Sequence, residues 1–234
     1  MKHFSPTCLQ CPHRQTPLMG CCVKDELDTL ASQKSVHFYQ KGQTIYQQDA
    51  KVTGLYCVYD GKIKLTRMGS DYKEHIVQLA RPGDIIGYRA LLSGNQYTSS
   101  AVALDDSTVC FVPRLDFVGL VQANKQFSNA LLHLLATSLG EAEQRLLELA
   151  YKPVRERLAG ALVVLQRTYG AAEATEPFSI SLAREDLAAL VGTAKETVSR
   201  LLSEFKEAGL IATRGSRITL LKHDILVDIA THYN

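Results

Sequence analysis

The sequence lacks the long apolar runs, the repeats and the leader-like start that mark several classes of protein. Its longest purely apolar stretch, residues 158–165, is far shorter than the roughly 20 residues that a membrane span needs. The first residues contain no apolar core of a secretory signal, so we expect a cytoplasmic protein. With 46% hydrophobic and 21% charged residues, we expect neither an integral membrane, nor a secreted, collagen-like or disordered protein.

An excess of charge of one sign is also missing. The chain has 26 Lys and Arg residues against 24 Asp and Glu residues, for a net charge of +2. This balance neither favours nor excludes nucleic acid as a partner, because DNA-binding modules concentrate their charge locally. The sequence also has no Ser/His/Asp grouping, no glycine-rich phosphate loop and no pair of acids with catalytic spacing, so we do not expect an enzyme.

Residues 35–115 have the pattern of many short strands. Glycines punctuate the segment at spacings of roughly ten residues, which is typical of an all-β sandwich or barrel. The pair Asp60-Gly61 lies between two strand-like stretches and predicts the tight turn of a hairpin. Beyond this turn Ile63 and Leu65 alternate with lysines, so we expect one buried and one wet face.

A helical pattern begins near residue 126. Its apolar residues step by three and four, as the a and d positions of a coiled coil do, and no charged residue interrupts them. This seam consists of Leu132, Leu135, Leu139, Ala142, Leu146 and Leu149. It predicts either a helix packed on its own domain or the coiled coil of a homodimer that forms without a ligand. Pro153 allows a break before a further helix over 154–169.

Two helices with a tight turn between them are predicted over 184–209, the pattern of a helix-turn-helix. The first ends at Gly192, and Thr193 is expected to cap the second, three residues before Glu196 in capping-box spacing. The buried face of the second helix is predicted to consist of Val198, Leu201, Leu202 and Phe205. Residues 211–221 are expected to form a hairpin, or wing.

The opposite edge of the second helix carries the side chains expected of a recognition helix. Arginine can form two hydrogen bonds with guanine, and glutamate can accept one from the amino group of cytosine. The predicted contacts with double-stranded DNA are Lys195, Glu196, Ser199, Arg200 and Ser203 on the helix, with Arg214 and Arg217 of the wing on phosphates. The alternatives are local roles: Glu196 as a capping partner, Arg200 paired with Glu196, Lys195 merely solvated, and the wing arginines as turn charges.

These segments, in this order, resemble the Crp/Fnr superfamily of bacterial transcription regulators from about residue 26 onward. The resemblance rests on the recognition segment 195–202, on Gly83-Asp-Ile-Ile-Gly87, on the turn Asp60-Gly61-Lys-Ile-Lys, and on Val154-Arg-Glu-Arg-Leu158. It implies an α+β fold with an N-terminal cyclic-nucleotide-binding-type β-roll, a long dimerisation helix and a C-terminal winged helix-turn-helix. It also implies a homodimer that reads a palindromic operator of TTGA-type half-sites through Glu196, Ser199 and Arg200, with RNA polymerase as a further partner.

We accordingly predict four parts of the chain. They are a cysteine-bearing N-terminal segment (1–25), a β-roll sensory domain (26–125), a dimerisation helix (126–152) and a winged helix-turn-helix DNA-binding domain (153–234). Two rival functions remain open at this point: a metal or thiol redox protein, and a ligand-binding module without sequence-specific DNA binding.

Cyclic-AMP-binding members of the superfamily carry a Gly-Glu pair and an Arg-Ser/Thr pair around the phosphate. In this chain Tyr88 stands at the position of the glutamate, and Arg89 is out of register for the arginine. The residues near the arginine position are Thr98, Ser99 and Ser100. Because a buried phosphate without a cation is poorly compensated, we expect no cyclic nucleotide as a ligand.

Four of the six cysteines lie within the first 22 residues. Oxygen-sensing Fnr-type members hold a [4Fe–4S] cluster on three N-terminal cysteines and one late in the β-roll, and four thiolates are sound ligands for such a cluster. The resemblance implies as ligands Cys8, Cys11, Cys21 (or Cys22 in its place) and Cys110. The gap between Cys11 and Cys21 is longer than in the oxygen sensor. A zinc site, a thiol switch and inert cysteines are the alternatives, and His13 is taken as a lone exposed histidine.

Overall fold

The computed structural model describes residues 7–69, 73–94, 96–170 and 176–231. It confirms the predicted fold class: a β-rich N-terminal part, a long helix and a C-terminal part with a helix-turn-helix. The chain divides into two compact units, one of residues 1–67 and 78–141 and the other of residues 68–77 and 142–234. The division into four parts made from the sequence stays a prediction. Among the described residues, no helix combines the length and the apolar character needed to cross a bilayer.

The elements of the N-terminal half are α1 (Lys24–Gln33), β1 (Ser35–Tyr39), β2 (Thr44–Tyr46), β3 (Gly54–Asp60), β4 (Ile63–Met68), β5 (Glu74–Ala80), β6 (Ile85–Ile86), α2 (Tyr88–Ser93), β7 (Ser100–Ala103), β8 (Ser107–Pro113) and α3 (Arg114–Ala123). The strands form two four-stranded sheets, in the orders β1-β8-β3-β6 and β2-β7-β4-β5. Alternate residues of β4 point to the core, and Ile63 and Leu65 are buried as predicted.

The expected hairpin at Asp60-Gly61 is wrong. Strand β3 pairs with β8 and β6, whereas β4 pairs with β7 in the other sheet. The turn therefore carries the chain from one sheet to the other. Gly61 has a φ of 98°, and a Cβ there would lie 2.2 Å from the Ser107 hydroxyl oxygen, so glycine is needed for this crossing.

Helix α4 (Lys125–Tyr151) contains the predicted seam. Its first turns pack into the core through Phe127 and Leu131, which are both buried. Farther along the helix the seam residues are not covered by the chain itself: Leu132, Leu139 and Leu146 are each more than 60% exposed. Packing on its own domain therefore occurs at the beginning of the helix and at Leu149, which lies against Gly192, but not at these three exposed leucines.

The C-terminal elements are α5 (Val154–Tyr169), β9 (Ser179–Ser181), α6 (Arg184–Val191), α7 (Lys195–Glu207), β10 (Ile211–Arg214), β11 (Arg217–Leu220) and α8 (His223–Thr231). The strands form a three-stranded antiparallel sheet in the order β10-β11-β9. Helices α6, α7 and above all α8 pack on α5, in which Leu158, Leu162 and Leu165 are buried. Most of the loop expected over 170–177 lies outside the described residues, which resume at Glu176.

Candidate nucleic-acid interface and cysteine cavity

The turn between α6 and α7 is built on Gly192. Its φ of 72° lies in the left-handed region, and the backbone N–H groups of Gly192 and Thr193 both donate to the carbonyl of Ala188, at 2.9 and 3.1 Å. A Cβ on Gly192 would stand 2.8 Å from a methyl carbon of Leu149. The predicted N-cap at Thr193 is wrong: the cap is Ala194, whose methyl side chain cannot accept a hydrogen bond, so Glu196 has no partner for a capping box.

Helix α7 has the two faces that its sequence predicts. Val198, Leu201, Leu202 and Phe205 are all buried. Around the other side, Ser199 is half-buried and the remaining side chains are exposed: Lys195, Glu196, Arg200 and Ser203. The helix is therefore held by its apolar stripe while one polar edge stays open to solvent, as a helix that enters a DNA groove requires.

The charged groups on this edge have local partners that solvent screens. Lys195 forms an ion pair with Glu185 of α6, and Arg200 forms one with Glu204 four residues later. The pairing of Arg200 with Glu196, given above as an alternative role, is wrong. The side chain of Arg200 is 65% exposed, and exposed ion pairs of this kind contribute about 0–1 kcal/mol. The guanidinium can therefore be released from Glu204 at little cost when a stronger acceptor approaches.

The wing brings two further cations to the surface. Arg214 and Arg217 are opposite each other at the end of the β10–β11 ladder, and both are exposed. Gly215 between them has a φ of 60°, and its carbonyl accepts a hydrogen bond from the Arg184 guanidinium at 3.2 Å. The tip of the wing thus presents two positive charges beside a backbone that is tied to α6.

The first unit contains a small cavity that is lined by cysteines and opens to solvent. Its sulfur-bearing lining consists of Cys8, Cys11, Cys57, Cys110 and Met19. Cys57 of β3 and Cys110 of β8 are directly opposite each other in the strand register. Three of the four predicted ligands thus share one cavity, together with Cys57, which the sequence did not single out.

His13 lies in the lining of this cavity and is half-buried rather than exposed as predicted. Its Nε2–H donates to the carbonyl of Tyr59 at 2.9 Å, which ties the N-terminal segment to strand β3. The backbone N–H of Cys11 donates to the carbonyl of Cys8 at 3.4 Å and closes the turn between them. Tyr59 is two residues beyond Cys57 on the same strand. These contacts therefore hold Cys8 and Cys11 beside Cys57.

Cys21 and Cys22 are placed differently and do not belong to the lining of the cavity. The thiol of Cys21 donates to the carbonyl of Pro17 at 3.1 Å, and its own carbonyl accepts from the Asn124 amide at 3.0 Å. Cys22 is buried. Its burial, and to a smaller extent the negative charge of Glu26, raises the pKa of its thiol to about 12. Neither residue lines the cavity that contains Cys8 and Cys11, whereas Cys22 lies close enough to Cys8 to interact with it electrostatically.

The electrostatics of the cavity oppose free thiolates. Burial raises the pKa of the Cys57 and Cys110 thiols, while Lys34, which hydrogen-bonds Cys110, acts in the opposite direction. Within the described residues, no three Cys, His, Asp or Glu side chains are arranged as the ligands of one metal ion. In this conformation the four cysteines are free thiols.

The segment that corresponds to the phosphate-binding segment of cyclic-AMP-binding members makes other contacts in this chain. Tyr88 is buried, and its hydroxyl hydrogen-bonds the Ser138 hydroxyl of α4 at 3.1 Å. The Arg89 guanidinium donates to Gln78 at 2.6 Å. The Ser100 hydroxyl accepts from the backbone N–H of Gln48 at 2.9 Å. Arg89 is thus engaged by a neutral amide, and the aromatic side chain of Tyr88 stands at the position of the glutamate.

Two family models match the chain. One, described as a cyclic nucleotide-binding domain, matches residues 36–124, and the other, described as a Crp-like helix-turn-helix domain, matches residues 156–229. They coincide with the β-strand region and with the segment that contains α6, α7 and the wing.

Individual proteins match most of the chain. The fumarate and nitrate reduction regulatory protein of Escherichia coli is 30% identical over 210 residues, which cover 89% of this chain and 82% of the relative. The cyclic AMP receptor protein of Thermus thermophilus is 30% identical over 215 residues, or 92% and 97% of the two chains. The solved structure of FixK2 from Bradyrhizobium japonicum superimposes with a TM-score of 0.73 at 28% identity, covering 84% of this chain and 96% of its own.

Proposed function

Because this chain belongs to the Crp/Fnr superfamily of DNA-binding transcription regulators, we propose that it binds a palindromic operator as a homodimer. One observation carries the proposal: the polar edge of α7 is open to solvent while its opposite face is fully buried. Glu196, Ser199 and Arg200 read base edges in the major groove, and Arg214 and Arg217 hold phosphates. The half-sites are of the TTGA type that the resemblance implies.

The homodimer forms through α4. Leu132, Leu139 and Leu146 recur at seven-residue intervals and are exposed, and such a seam is stable in water only when a second helix covers it. The seam carries no charge, so pairing needs no ligand. Two copies related by a twofold axis then present their α7 helices to two half-sites one helical turn apart.

The signal is a change at the cysteines rather than a cyclic nucleotide. The relatives include both the fumarate and nitrate reduction regulator and a cyclic AMP receptor at the same identity, so overall similarity does not discriminate between the two kinds of signal. Individual residues do discriminate between them. No arginine stands at 98–100, where cyclic-AMP-binding members have one, and Arg89 donates to Gln78 instead. Four cysteines line one cavity, which supports a redox or oxygen response.

Helix α4 provides the route from signal to operator. It begins in the unit that contains the cysteine cavity and continues into the unit that contains α7. A change at the cysteines alters how the two α4 helices pair, and this pairing sets the distance between the two recognition helices. The bound dimer acts in the cytoplasm on RNA polymerase at the promoter.

A gel-shift experiment with the variant Arg200→Ala tests the assignment of α7. The probe is a duplex with two inverted TTGA half-sites one helical turn apart. Loss of a two-bonded guanine contact costs about 1–3 kcal/mol, so affinity should fall roughly 10- to 100-fold. The matched control is Arg167→Ala, which removes an exposed arginine from the end of α5 and should leave affinity unchanged.

Cyclic AMP, added to the same binding reactions, should change the affinity for the duplex of neither the wild-type protein nor the Arg200→Ala variant. Binding by Arg200→Ala that equals wild type on this duplex would remove α7 from the proposed interface. A cyclic AMP-dependent gain in affinity would overturn the proposed kind of signal without affecting the assignment of α7.

A further inference from the structure

We infer that Cys8, Cys11, Cys57 and Cys110 are the four thiolate ligands of one metal centre, with Cys57 in the place that the sequence resemblance gives to Cys21. The inference rests on the proposal that the cysteines receive the signal, and it adds which of them hold a metal. The occupant is a thiophilic centre, either a zinc ion or a [4Fe–4S] cluster, because both accept four cysteine ligands.

Two of the ligands are fixed by the sheet. Cys57 of β3 and Cys110 of β8 are directly opposite each other, and residues in that relation project their side chains to the same face of a sheet, about 5 Å apart at Cβ. Both line the cavity. Such a cross-strand pair can provide two well-positioned ligands of a metal site. The backbone hydrogen bonds of the sheet hold the two thiol-bearing residues in register.

The other two ligands come from the turn at the start of the described chain. Cys8 and Cys11 are separated by two residues, the spacing common in thiolate sites for zinc and iron–sulfur clusters. The backbone hydrogen bond from Cys11 to Cys8 closes the turn, and the bond from His13 to Tyr59 holds it against β3. All four cysteines border the same cavity, and Cys8 and Cys11 lie close enough to Cys57 and Cys110 to act on them electrostatically.

The remaining lining suits a thiolate centre. Leu27, Leu30, Ile85 and Val112 form apolar walls, which exclude water from a labile site. Four thiolates carry more negative charge than a zinc ion or a cluster neutralises, and that excess must be compensated in a partly buried site. Lys34, which hydrogen-bonds Cys110, and Arg14 both line the cavity and provide positive charge.

Cys21 lacks every one of these relations. Its thiol donates to Pro17, its carbonyl is held by Asn124, and it does not line the cavity. To bind a metal beside Cys8 and Cys11, its thiol would have to leave the Pro17 carbonyl. Cys57 already lines the cavity.

Metal binding by the full chain, purified without oxygen and fully reduced, tests the ligand set. In one arm the protein is titrated with Zn²⁺ against a chromophoric chelator. In the other it is reconstituted with Fe²⁺ and sulfide, and iron, sulfide and the visible absorption spectrum are measured. The two arms distinguish a zinc site from a cluster. Both are read without DNA, so they do not depend on the operator proposal.

The wild-type protein should bind one metal centre per chain, either in the Zn²⁺ titration or in the reconstitution with Fe²⁺ and sulfide. The Cys21→Ser variant should bind the same centre equally well. Even the loss of a group that only supports a ligand lowers metal affinity 10- to 100-fold, so Cys57→Ser and Cys110→Ser should each weaken binding by at least about tenfold. Cys57→Ala, which removes the thiol without adding a buried hydroxyl, should do the same. Circular dichroism of the metal-free variants shows that each has folded.

Three results would overturn the inference. One is a Cys57→Ser protein that keeps full metal affinity while Cys21→Ser or Cys22→Ser loses it. Another is wild-type protein that binds neither Zn²⁺ nor iron and sulfide. The third is a Cys57–Cys110 disulfide, detected by alkylation and mass spectrometry, in protein isolated without oxygen. None of these results bears on the binding of DNA by α7, which the Arg200→Ala experiment tests separately.

Discussion

At the scale of single residues, the wing arginines and Arg200 are expected to do different work on DNA. Arg214 and Arg217 are at a strand end, away from the recognition edge in sequence, and both side chains are exposed. Phosphate contacts carry no sequence information, whereas a base contact does. Substitutions in the wing should therefore weaken binding to every duplex, while a substitution at Arg200 should weaken binding mainly to the operator.

The salt dependence of binding measures this difference. Arg214→Ala and Arg217→Ala should each lower affinity for operator and for random duplex by similar factors. Each should also reduce the slope of log K against log salt by about 1, because one fewer counterion is released. Fluorescence anisotropy over a series of salt concentrations gives the slope. An unchanged slope in both variants would show that neither arginine contacts a phosphate.

Residue roles that depend on nearby residues could be predicted from the sequence, and roles that depend on distant ones could not. The buried face of α7 follows from its 3.6-residue period and is as predicted. Cys57, by contrast, lies opposite Cys110 because β3 pairs with β8, and it shares a cavity with Cys8 and Cys11. No spacing along the chain contains that register, and Cys21 was predicted as a ligand from the resemblance to Fnr-type members.

At the scale of elements, the turn of the helix-turn-helix depends on one glycine. Gly192→Ala forces an L side chain into a left-handed conformation, at roughly 1–2 kcal/mol, and brings its Cβ to 2.8 Å from Leu149. We expect a loss of about 2 kcal/mol or more in the free energy of unfolding, measured by urea denaturation of the full chain.

Gly160→Ala is the matched control for this substitution. Gly160 is within α5 of the same unit, and a Cβ there would meet only Ala230, at an ordinary 3.7 Å. Replacing a helical glycine by alanine stabilises by up to about 1 kcal/mol. The two variants should therefore change stability in opposite directions. Equal effects of both would contradict the assigned role of the turn.

The seam of α4 is tested by charge. Leu139→Lys places a cation in the middle of the uncharged seam, where a paired helix would bury it, and should convert the dimer to a monomer. Thr137→Lys adds the same charge at an exposed position outside the seam and should leave the dimer intact. Light scattering after size exclusion gives the mass of each. A wild-type monomer, or a Leu139→Lys dimer, would contradict the pairing of α4.

The strand order shows where local chemistry stops being informative. Asp60-Gly61 has the composition of a hairpin turn, and a sharp turn does occur there. The strands on either side nevertheless belong to different sheets, because β8 and β7, far along the chain, are better partners for them. Turn residues determine where the chain reverses direction. Which strands then pair depends on contacts between residues that are far apart in the sequence.

At the scale of the whole molecule, the proposed operator is bound by two copies of the chain on one duplex. The family, the exposed edge of α7 and the exposed seam of α4 each support a twofold-symmetric reader. Such a reader is sensitive to the phase of its two half-sites along the DNA helix as well as to their sequence. This sensitivity separates a symmetric dimer from a monomer that binds each half-site alone.

The most direct measurement compares three duplexes by fluorescence anisotropy at one salt concentration: two inverted TTGA half-sites one helical turn apart, the same half-sites with about five base pairs inserted, and a scrambled sequence. We expect binding to the first duplex to be at least about a thousandfold tighter than to the scrambled one, and most of that gain to be lost on insertion. Equal affinity for all three duplexes would contradict this expectation.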